Sequence, residues 1–272
     1  MQQADLPANG RSDVALKDVP RDEIVDAACA VLRHIRARAP RVHCITNNVA
    51  QHFTANVLLA AGAIPSMTTA REEIAAFTEH CDALLVNLGT MDDERRTAIA
   101  LALDVTTRMR KPWLLDPVFI ERSKLRCDFA QDLLARKPAA IRLNAAELAA
   151  LVPQADESGR AASLNAQTGA IVAQTGAVDT ILGAGHVARI MNGHPLMAKV
   201  TAMGCAASAL ATAALAVESD AFRAITGALA LFGVAGEIAG ARAQGPGTFA
   251  VHMLDALHGL NDDAIHTRIK IA

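Results

Sequence analysis

The chain has 272 residues, 52% of them hydrophobic, and a formal net charge of -2. That length and apolar content allow one large α/β domain with a core of ordinary size. Positive and negative side chains are interspersed, so no basic stripe is available for counterion release from nucleic acid. The composition therefore favours a small-molecule partner over nucleic acid or a membrane.

The five cysteines form no CxxC pair, and the start of the sequence does not resemble a signal peptide. Free thiols in a reducing cytoplasm are therefore expected. The nine histidines show no HxxH or HExxH spacing, which gives no indication of a structural zinc site. The uncharged stretch 200–217 approaches the length of a spanning helix. Because it consists mainly of small residues and is followed by Glu218 and Asp220, it is predicted to be a buried helix instead.

The order of predicted elements indicates the fold class. Residues 1–20 are polar and lack periodicity, which predicts a flexible tail before a single domain over 21–272. Helices are predicted over 22–38, 50–61, 94–109, 129–136, 144–151, 205–217, 221–241 and 245–258, with another from about residue 72. Apolar strands are predicted over 42–45, 64–67, 83–88, 113–115 and 140–143. Such alternation is typical of an α/β fold with a mostly parallel sheet covered on both faces.

The pattern of apolar residues and glycines changes after residue 168. Three short runs, 170–174, 179–183 and 187–191, are separated by glycines. They predict hairpins, and hence antiparallel strands, at one edge of the sheet.

The segment 199–205 is the best candidate for a phosphate cradle. A strand end meets a turn of small residues, Ala202-Met203-Gly204, and a helix follows. The free N–H groups and positive dipole end of that helix can receive a phosphate, but a glycine before a helix also serves packing. Cys205 would lie in the first turn, where a lowered thiol pKa would make it a proton acceptor. A buried cysteine that behaves as an apolar side chain is the other interpretation.

Three further segments have polar side chains at the ends of predicted strands. Asn144 and Glu147 fit both a helix-capping pair and a Mg²⁺ anchor. Asp116, which precedes a proline, is either a second carboxylate at the ligand-binding edge of the sheet or a turn residue. Asn47 is either a polar group of the site or a helix cap. Spacing alone leaves these alternatives open.

Taken together and in order, segments from about residue 40 to residue 260 resemble hydroxyethylthiazole kinases. The first segment is the longest and the most specific. The segments that carry the resemblance are HCITNNVAQHFTANVLLAAGAIPSM (43–67), VNLGT (86–90), LLDPV (114–118), KPAAIRLNAAEL (137–148), QTGAVD (174–179), MAKVTAMGCAASA (197–209) and GPGTF (245–249).

The resemblance implies a ribokinase-like three-layer α-β-α sandwich. It implies transfer of the ATP γ-phosphate to the hydroxyl of 4-methyl-5-(2-hydroxyethyl)thiazole in thiamine salvage or biosynthesis, with Mg²⁺. It also implies a homotrimer with sites at subunit interfaces. The implied residue roles are thiazole binding by Met67, Ala202 and Asn47; contact with ATP or its phosphates by Arg126, Thr175, Gly204, Met203 and Asn144; Mg²⁺ binding by Glu147 and Asp116; and catalysis by Cys205, at the position of the aspartate of most ribokinase-like kinases.

Four features depart from the family pattern. Ala202 and Leu143 stand where the family usually has glycine. Ala177 stands where the family often has an acidic residue after Thr-Gly, and the stretch 152–167 is shorter than in family members. A methyl group at position 202 would hinder close backbone approach to phosphate or substrate. These departures concern nucleotide affinity more than fold.

Three functional hypotheses follow. The first is an active thiazole kinase. The second is a kinase for a related heterocycle such as hydroxymethylpyrimidine, which an aspartate at position 205 would have favoured. The third is a degenerate thiazole-binding protein that has lost phosphate transfer. ATP-dependent product formation separates the third from the other two.

Overall fold

The computed structural model describes residues 16–272. Strands and helices alternate along this part of the chain. The strands are β1 (Lys17–Asp18), β2 (Arg41–Ile45), β3 (Ile64–Ser66), β4 (Ala83–Asn87), β5 (Trp113–Asp116), β6 (Ala140–Asn144), β7 (Ile171–Thr175), β8 (Asp179–Gly183) and β9 (His186–Ile190). The helices are α1 (Arg21–Arg38), α2 (Gln51–Ala61), α3 (Ile74–His80), α4 (Asp93–Met109), α5 (Lys124–Leu134), α6 (Ala145–Leu151), α7 (Arg160–Thr168), α8 (Met203–Leu215), α9 (Ala221–Arg242), α10 (Pro246–Gly259) and α11 (Asp262–Arg268).

The described strands form one mixed sheet in the order β1-β9-β8-β7-β6-β5-β4-β2-β3. Pairing is parallel from β3 through β7, and β8 pairs antiparallel with both β7 and β9. Because the strands from β3 to β7 run in the same direction, their carboxyl ends meet at one edge, where open α/β sheets bind ligands.

Two apolar clusters cover the two faces of the sheet. Helices α1, α2, α8, α9, α10 and α11 contribute to one cluster, and α3 to α7 contribute to the other. Alternate residues of a strand face opposite sides, so Ile141 and Leu143 pack into the second cluster, while Arg142 between them faces α8. The result is the predicted three-layer sandwich.

The long apolar helices belong to the core. Helix α8 is built almost entirely from buried small residues, and it covers most of the stretch that was predicted to be a buried helix. Helix α9 has a window of mean hydropathy 1.6, long enough to cross a membrane, but 78% of that window is buried inside the protein. Both sequences therefore fit packing between the sheet and other helices.

Most predicted elements are confirmed to within two residues at each end, and five differences remain. The strand end predicted before the turn 202–204 is wrong, because a 3₁₀ helix over Pro195–Lys199 leads into that turn instead. The tail prediction for 1–20 lies outside the described residues up to residue 15, but Lys17–Asp18 pairs in parallel with β9, so ordered structure begins before residue 21. Helix α5 begins at Lys124, five residues before the predicted start, because the Ser123 side chain caps it. Helices α7 and α11 were not predicted.

Candidate active site

Polar side chains follow the carboxyl ends of adjacent strands in a line. Neighbouring strands lie about 4.8 Å apart, so the line is a continuous polar edge. In the order of strands β2, β4, β5, β6 and β7, the polar residues in or just after the strand ends are Asn47, Asn87, Asp116, Asn144 and Thr175. The apolar Met67 follows β3 at one end of this line. The amino end of α8 meets the middle of this line, because Cys205 and Ser208 contact Asn87 and Asp116. The fold therefore brings together Asn47, Asp116 and Cys205 as the sequence predicted.

Two buried amides hold the Cys205 thiol. Asn87 Nδ2 lies 3.3 Å from Cys205 Sγ, and Asn47 Nδ2 lies 3.6 Å from it. The same Asn87 amide donates to Asp116 Oδ2 at 2.7 Å. Asn47 Oδ1 also accepts from Ala50 N–H at 3.0 Å, within the turn that precedes α2. The N-cap residue of α2 is Ala50, so Asn47 stabilises this turn and is not the cap of the helix. The thiol thus links the ends of β2 and β4 to α8.

Burial raises the pKa of Cys205 to about 11, with Asp116 as the next cause, while the bonds to Asn87 and Asn47 and the charge of Arg142 act in the opposite direction. The expectation of a lowered thiol pKa is therefore wrong. Desolvation of the thiolate outweighs the helix N-terminus, because a charged form loses more solvation than a partial dipole returns. At neutral pH the side chain is a neutral thiol.

Asp116 is a fully buried carboxylate with one satisfied oxygen. Its Oδ2 accepts from Asn87 and from Ser208 Oγ at 2.8 Å. Its Oδ1 has no hydrogen-bond partner among the described residues and lies 3.9 Å from Arg142 Nη1. Burial raises the pKa of Asp116, and Arg142 opposes that shift. Asp116 Oδ1 is therefore free to bind a cation or to accept a hydrogen bond from a hydroxyl group.

Glu147 and Asn144 form a complete capping box at the start of α6. Asn144 Oδ1 accepts from Glu147 N–H at 2.9 Å, and Glu147 Oε2 accepts from Asn144 N–H at 2.8 Å. Glu147 Oε1 accepts from Phe119 N–H at 3.0 Å, which ties α6 to the turn after β5. Burial raises the pKa of Glu147, and Asp116 is close enough to raise it further. Because β5 ends at Asp116 and the adjacent strand β6 ends at Asn144, to which Glu147 bonds, the two carboxylates lie at neighbouring strand ends.

The amino end of α8 has the geometry of an anion cradle. The first intrahelical bond runs from Ala206 N–H to the Ala202 carbonyl at 2.9 Å, so the N–H groups of Met203, Gly204 and Cys205 precede it and have no intrahelical acceptor. Ala202 takes a left-handed conformation with φ 71°. Glycine adopts this conformation without strain, whereas alanine adopts it only with backbone strain.

A cavity of about 580 Å³ opens beside this cradle. Ligand sites of proteins commonly have 300–1,000 Å³. Its lining comes from the ends of β6 and β7, the turn before β8, the segment 191–198 and the facing parts of α8 and α9. The polar side chains in this lining are those of Arg142, Asn144, Thr175, Asp179, Asn192 and His194. Of the residues predicted to contact ATP, Asn144, Thr175, Met203 and Gly204 line this cavity, but Arg126 does not. The Arg126 guanidinium instead donates to the Val118 carbonyl at 2.9 Å, beside the turn that Glu147 holds.

Met67 lies at the opposite end of the polar edge and packs partly buried against the first apolar cluster. His43 fixes its segment, because Nε2 donates to the Thr68 carbonyl at 3.1 Å and Nδ1 accepts from Ser66 Oγ at 2.7 Å. Burial lowers the pKa of His43 to about 4, so this histidine is neutral at physiological pH. Neither Met67 nor Asn47 lines the 580 Å³ cavity.

The departures from the family pattern lie in different places. Leu143 is buried in the second apolar cluster and points away from the cradle. Ala177 lines the cavity. Helix α7 occupies much of the shortened stretch.

Sequence reasoning singled out neither Asn87, Arg142 nor Ser208. A polar residue at the end of a buried strand was a signal for Asn87, and a charge inside an apolar strand was a signal for Arg142. A serine in an alanine-rich helix gives no comparable signal.

The hydroxyethylthiazole kinase family model matches residues 32–263 of the chain. The chain belongs to the hydroxyethylthiazole kinase family. A probable hydroxyethylthiazole kinase of Agrobacterium fabrum is 42% identical over 245 residues, which cover 89% of this chain and 94% of that protein. The solved structure of a hydroxyethylthiazole kinase protein from Pyrococcus horikoshii superposes with a TM-score of 0.86 at 35% identity, covering 92% and 98% of the two chains.

A ribokinase-like superfamily protein from Enterococcus faecalis shares the fold at a TM-score of 0.62 and 14% identity, covering 94% of this chain and 98% of that one. The resemblance to hydroxyethylthiazole kinases and the ribokinase-like fold predicted from sequence are both confirmed. Membership in this kinase family also supports the thiazole kinase hypothesis and does not favour the pyrimidine kinase alternative.

Proposed function

We propose that the protein transfers the γ-phosphate of ATP to the hydroxyl of 4-methyl-5-(2-hydroxyethyl)thiazole, with Mg²⁺, as a cytoplasmic homotrimer. The observation that carries this proposal is the polar edge of the sheet. One end of it opens into the 580 Å³ cavity, the other end carries Met67, and the free N–H groups of α8 lie between them. A phosphate donor, a transfer point and an acceptor require this linear order.

The nucleotide is assigned to the cavity. Thr175 and Asn144 supply polar groups there, and Met203 and Gly204 present backbone N–H groups to phosphate. Apolar residues of α9, including Phe232, supply a surface suited to a nucleobase. Arg126 stays a predicted nucleotide contact; its Nη1 donates to the Val118 carbonyl, and its other guanidinium nitrogens keep donors for a phosphate.

The thiazole is assigned to the end that carries Met67 and Asn47. Methionine is flexible and polarizable, and it makes favourable contacts with aromatic rings such as thiazole. The neutral His43 keeps the Met67 segment joined to β2. A hydroxyl bound near Asn47 would lie close to Cys205 and to the amino end of α8, since the Asn47 amide contacts the thiol.

Mg²⁺ usually binds to one or two carboxylates together with substrate phosphates, not to a protein-only cage. No cluster of three or more His, Cys, Asp or Glu side chains suited to a metal occurs among residues 16–272. Asp116 and Glu147 nevertheless fit a metal that phosphates also bind, because Asp116 Oδ1 is a buried carboxylate oxygen without a hydrogen-bond partner in that part of the chain. The metal would neutralise charge on the phosphates.

In the transfer itself, the bond between the substrate oxygen and the γ-phosphorus forms while the bond from that phosphorus to the bridging oxygen of ADP breaks. The hydroxyl proton leaves to water. Phosphoryl transfer passes through a loose transition state that demands little base assistance, and a thiol with a pKa of about 11 is a poor proton acceptor at neutral pH. Cys205 instead contributes by fixing Asn47 and Asn87 at the transfer point.

The proposal is tested by incubating purified protein with ATP, Mg²⁺ and hydroxyethylthiazole, and by following thiazole phosphate by mass spectrometry. Omission of Mg²⁺ and the Glu147→Gln variant should both reduce the rate by at least about 100-fold, as expected when charge stabilisation of the transition state is lost. Thiazole binding measured by calorimetry separates the remaining alternative. Binding without product formation by the wild type would favour a degenerate thiazole-binding protein.

A further inference from the structure

Arg142 is a charged side chain in the middle of the sheet edge. It lies on β6 with only 17% of its side chain exposed. Its Nη2 donates to Thr175 Oγ1 at 2.7 Å, and its Nη1 lies 3.9 Å from Asp116 Oδ1. Its Nε is buried and has no hydrogen-bond partner within residues 16–272. The guanidinium therefore keeps unused donor capacity, although it is held on both sides.

The backbone of α8 makes room for this guanidinium. A Cβ atom added at Gly204 would lie 2.9 Å from Arg142 Nη1 and 3.3 Å from Nη2. Any residue other than glycine there would push the arginine away. Arg142 consequently lies against the same helix turn whose N–H groups form the cradle, and it lines the cavity. An anion seated on that turn would meet backbone N–H groups and a guanidinium together.

Arg142 also lies among acidic side chains. Asp179 lines the same cavity, and Asp116 Oδ1 lies 3.9 Å from Arg142 Nη1. These carboxylates repel an entering triphosphate, and Arg142 supplies positive charge beside them.

We propose that Arg142 is a catalytic residue that binds the transferred phosphoryl group, and that Thr175 positions its guanidinium for that contact. This inference rests on the proposed kinase function, and it names a residue and a role beyond the cradle itself. Guanidinium groups suit phosphate because their donors form a fixed fork that can bind two oxygens. Thr175 supports the fork from the second side by accepting from Nη2 and donating to the Leu143 carbonyl at 3.4 Å.

The test compares nucleotide binding and turnover in Arg142→Gln and Arg142→Lys. If Arg142 contacts the transferred group, Arg142→Gln should lower kcat by about 100- to 1,000-fold, the usual effect of losing one such donor. Its affinity for ADP, which lacks that group, should stay within about threefold of the wild type, whereas affinity for ADP with aluminium fluoride should fall together with kcat. Arg142→Lys, which keeps the charge without the fork, should recover about tenfold of the lost rate.

Arg36→Gln is the matched control. Arg36 donates to the carbonyls of Leu257, His258 and Leu260 near the end of α10 and plays no part in the site. This variant should lower the melting temperature and leave the ratio of the two nucleotide affinities unchanged. If Arg142→Gln does not fold, Arg142→Lys decides, because a purely structural partner of Asp116 needs only the charge and predicts near-normal kcat.

A kcat within about threefold of the wild type, or an equal loss of affinity for ADP and for ADP with aluminium fluoride, would overturn the role of Arg142. The binding measurements need no acceptor. A wild type that does not phosphorylate the thiazole would therefore refute the proposed substrate, while the nucleotide affinities would still decide the role of Arg142.

Discussion

Ala202→Gly is expected to stabilise the protein, which is unusual for a glycine substitution. Ala202 precedes α8 with φ 71° and ψ 2°. A left-handed conformation costs an L-residue about 1–2 kcal/mol. Glycine removes that strain, but it raises the entropy of the unfolded chain and so returns about 0.4–1 kcal/mol. The midpoints of these two ranges give a net gain in the free energy of unfolding of about 0.8 kcal/mol.

The same substitution at the other end of α8 is the control. Ala216 has φ -73° and ψ -21°, which is right-handed, so Ala216→Gly relieves nothing and should cost about 0.5–1 kcal/mol. Urea unfolding of both variants, with melting temperatures, measures the difference in sign. In a protein of this size the gain for Ala202→Gly corresponds to about 1–4 °C. Equal destabilisation by the two substitutions would refute the assignment of strain to Ala202.

Three further predictions concern the buried centre of the site. Cys205→Ala should lower kcat by about tenfold with little effect on thiazole affinity. Cys205→Ser can still accept a hydrogen bond from Asn87 and should retain most of the rate. Loss of thiazole binding in the alanine variant would instead mean that the thiol packs against the bound thiazole. Ser208→Ala should destabilise the protein by about 1–3 kcal/mol, because the buried carboxylate of Asp116 loses a donor. This bond favours the ionised carboxylate, so the loss should be larger at high pH, where Asp116 is ionised, than at low pH, where it is protonated; unfolding curves with the opposite trend would contradict this. Because the pKa of Cys205 is raised from 9.0 to about 11, the contribution of this thiol to stability should be constant below pH 9 and lost as the pH rises through 11. The rate of Cys205 alkylation measures this pKa in a Cys127→Ser variant, which removes the other cysteine that is not buried. A rate that reaches its plateau near pH 8 would disprove the raised value.

The sequence predicted the layered fold well because its signals are local. Apolar runs such as 83–88 predict buried strands, and glycine-bounded runs after residue 168 predict the antiparallel edge. Helix α5 was placed late because the cap at Ser123 follows a 3₁₀ turn that does not show helical periodicity. The order of strands in the sheet depends on tertiary packing, so no local pattern gave it.

The candidate site was predictable only in part, for a physical reason. Asp116, Glu147 and Cys205 each lie at the end of a recognisable element, and the topology brings those ends to one edge. Of the two interpretations of Cys205, the one with a lowered thiol pKa is wrong, because the desolvation that raises this pKa comes from the folded surroundings and not from its own helix. The role of Arg142 could not be predicted from local sequence, because it depends on Gly204, 62 positions later, which makes room for the guanidinium in the folded protein.

The proposed activity of this chain is phosphorylation of hydroxyethylthiazole. The most direct measurement is kcat/KM for hydroxyethylthiazole and for hydroxymethylpyrimidine with the same purified protein, ATP and Mg²⁺. We expect the thiazole to be preferred by at least about 100-fold, the discrimination that a shaped apolar pocket provides. Equal or better use of the pyrimidine, or no transfer to either acceptor by folded protein, would contradict the proposed function.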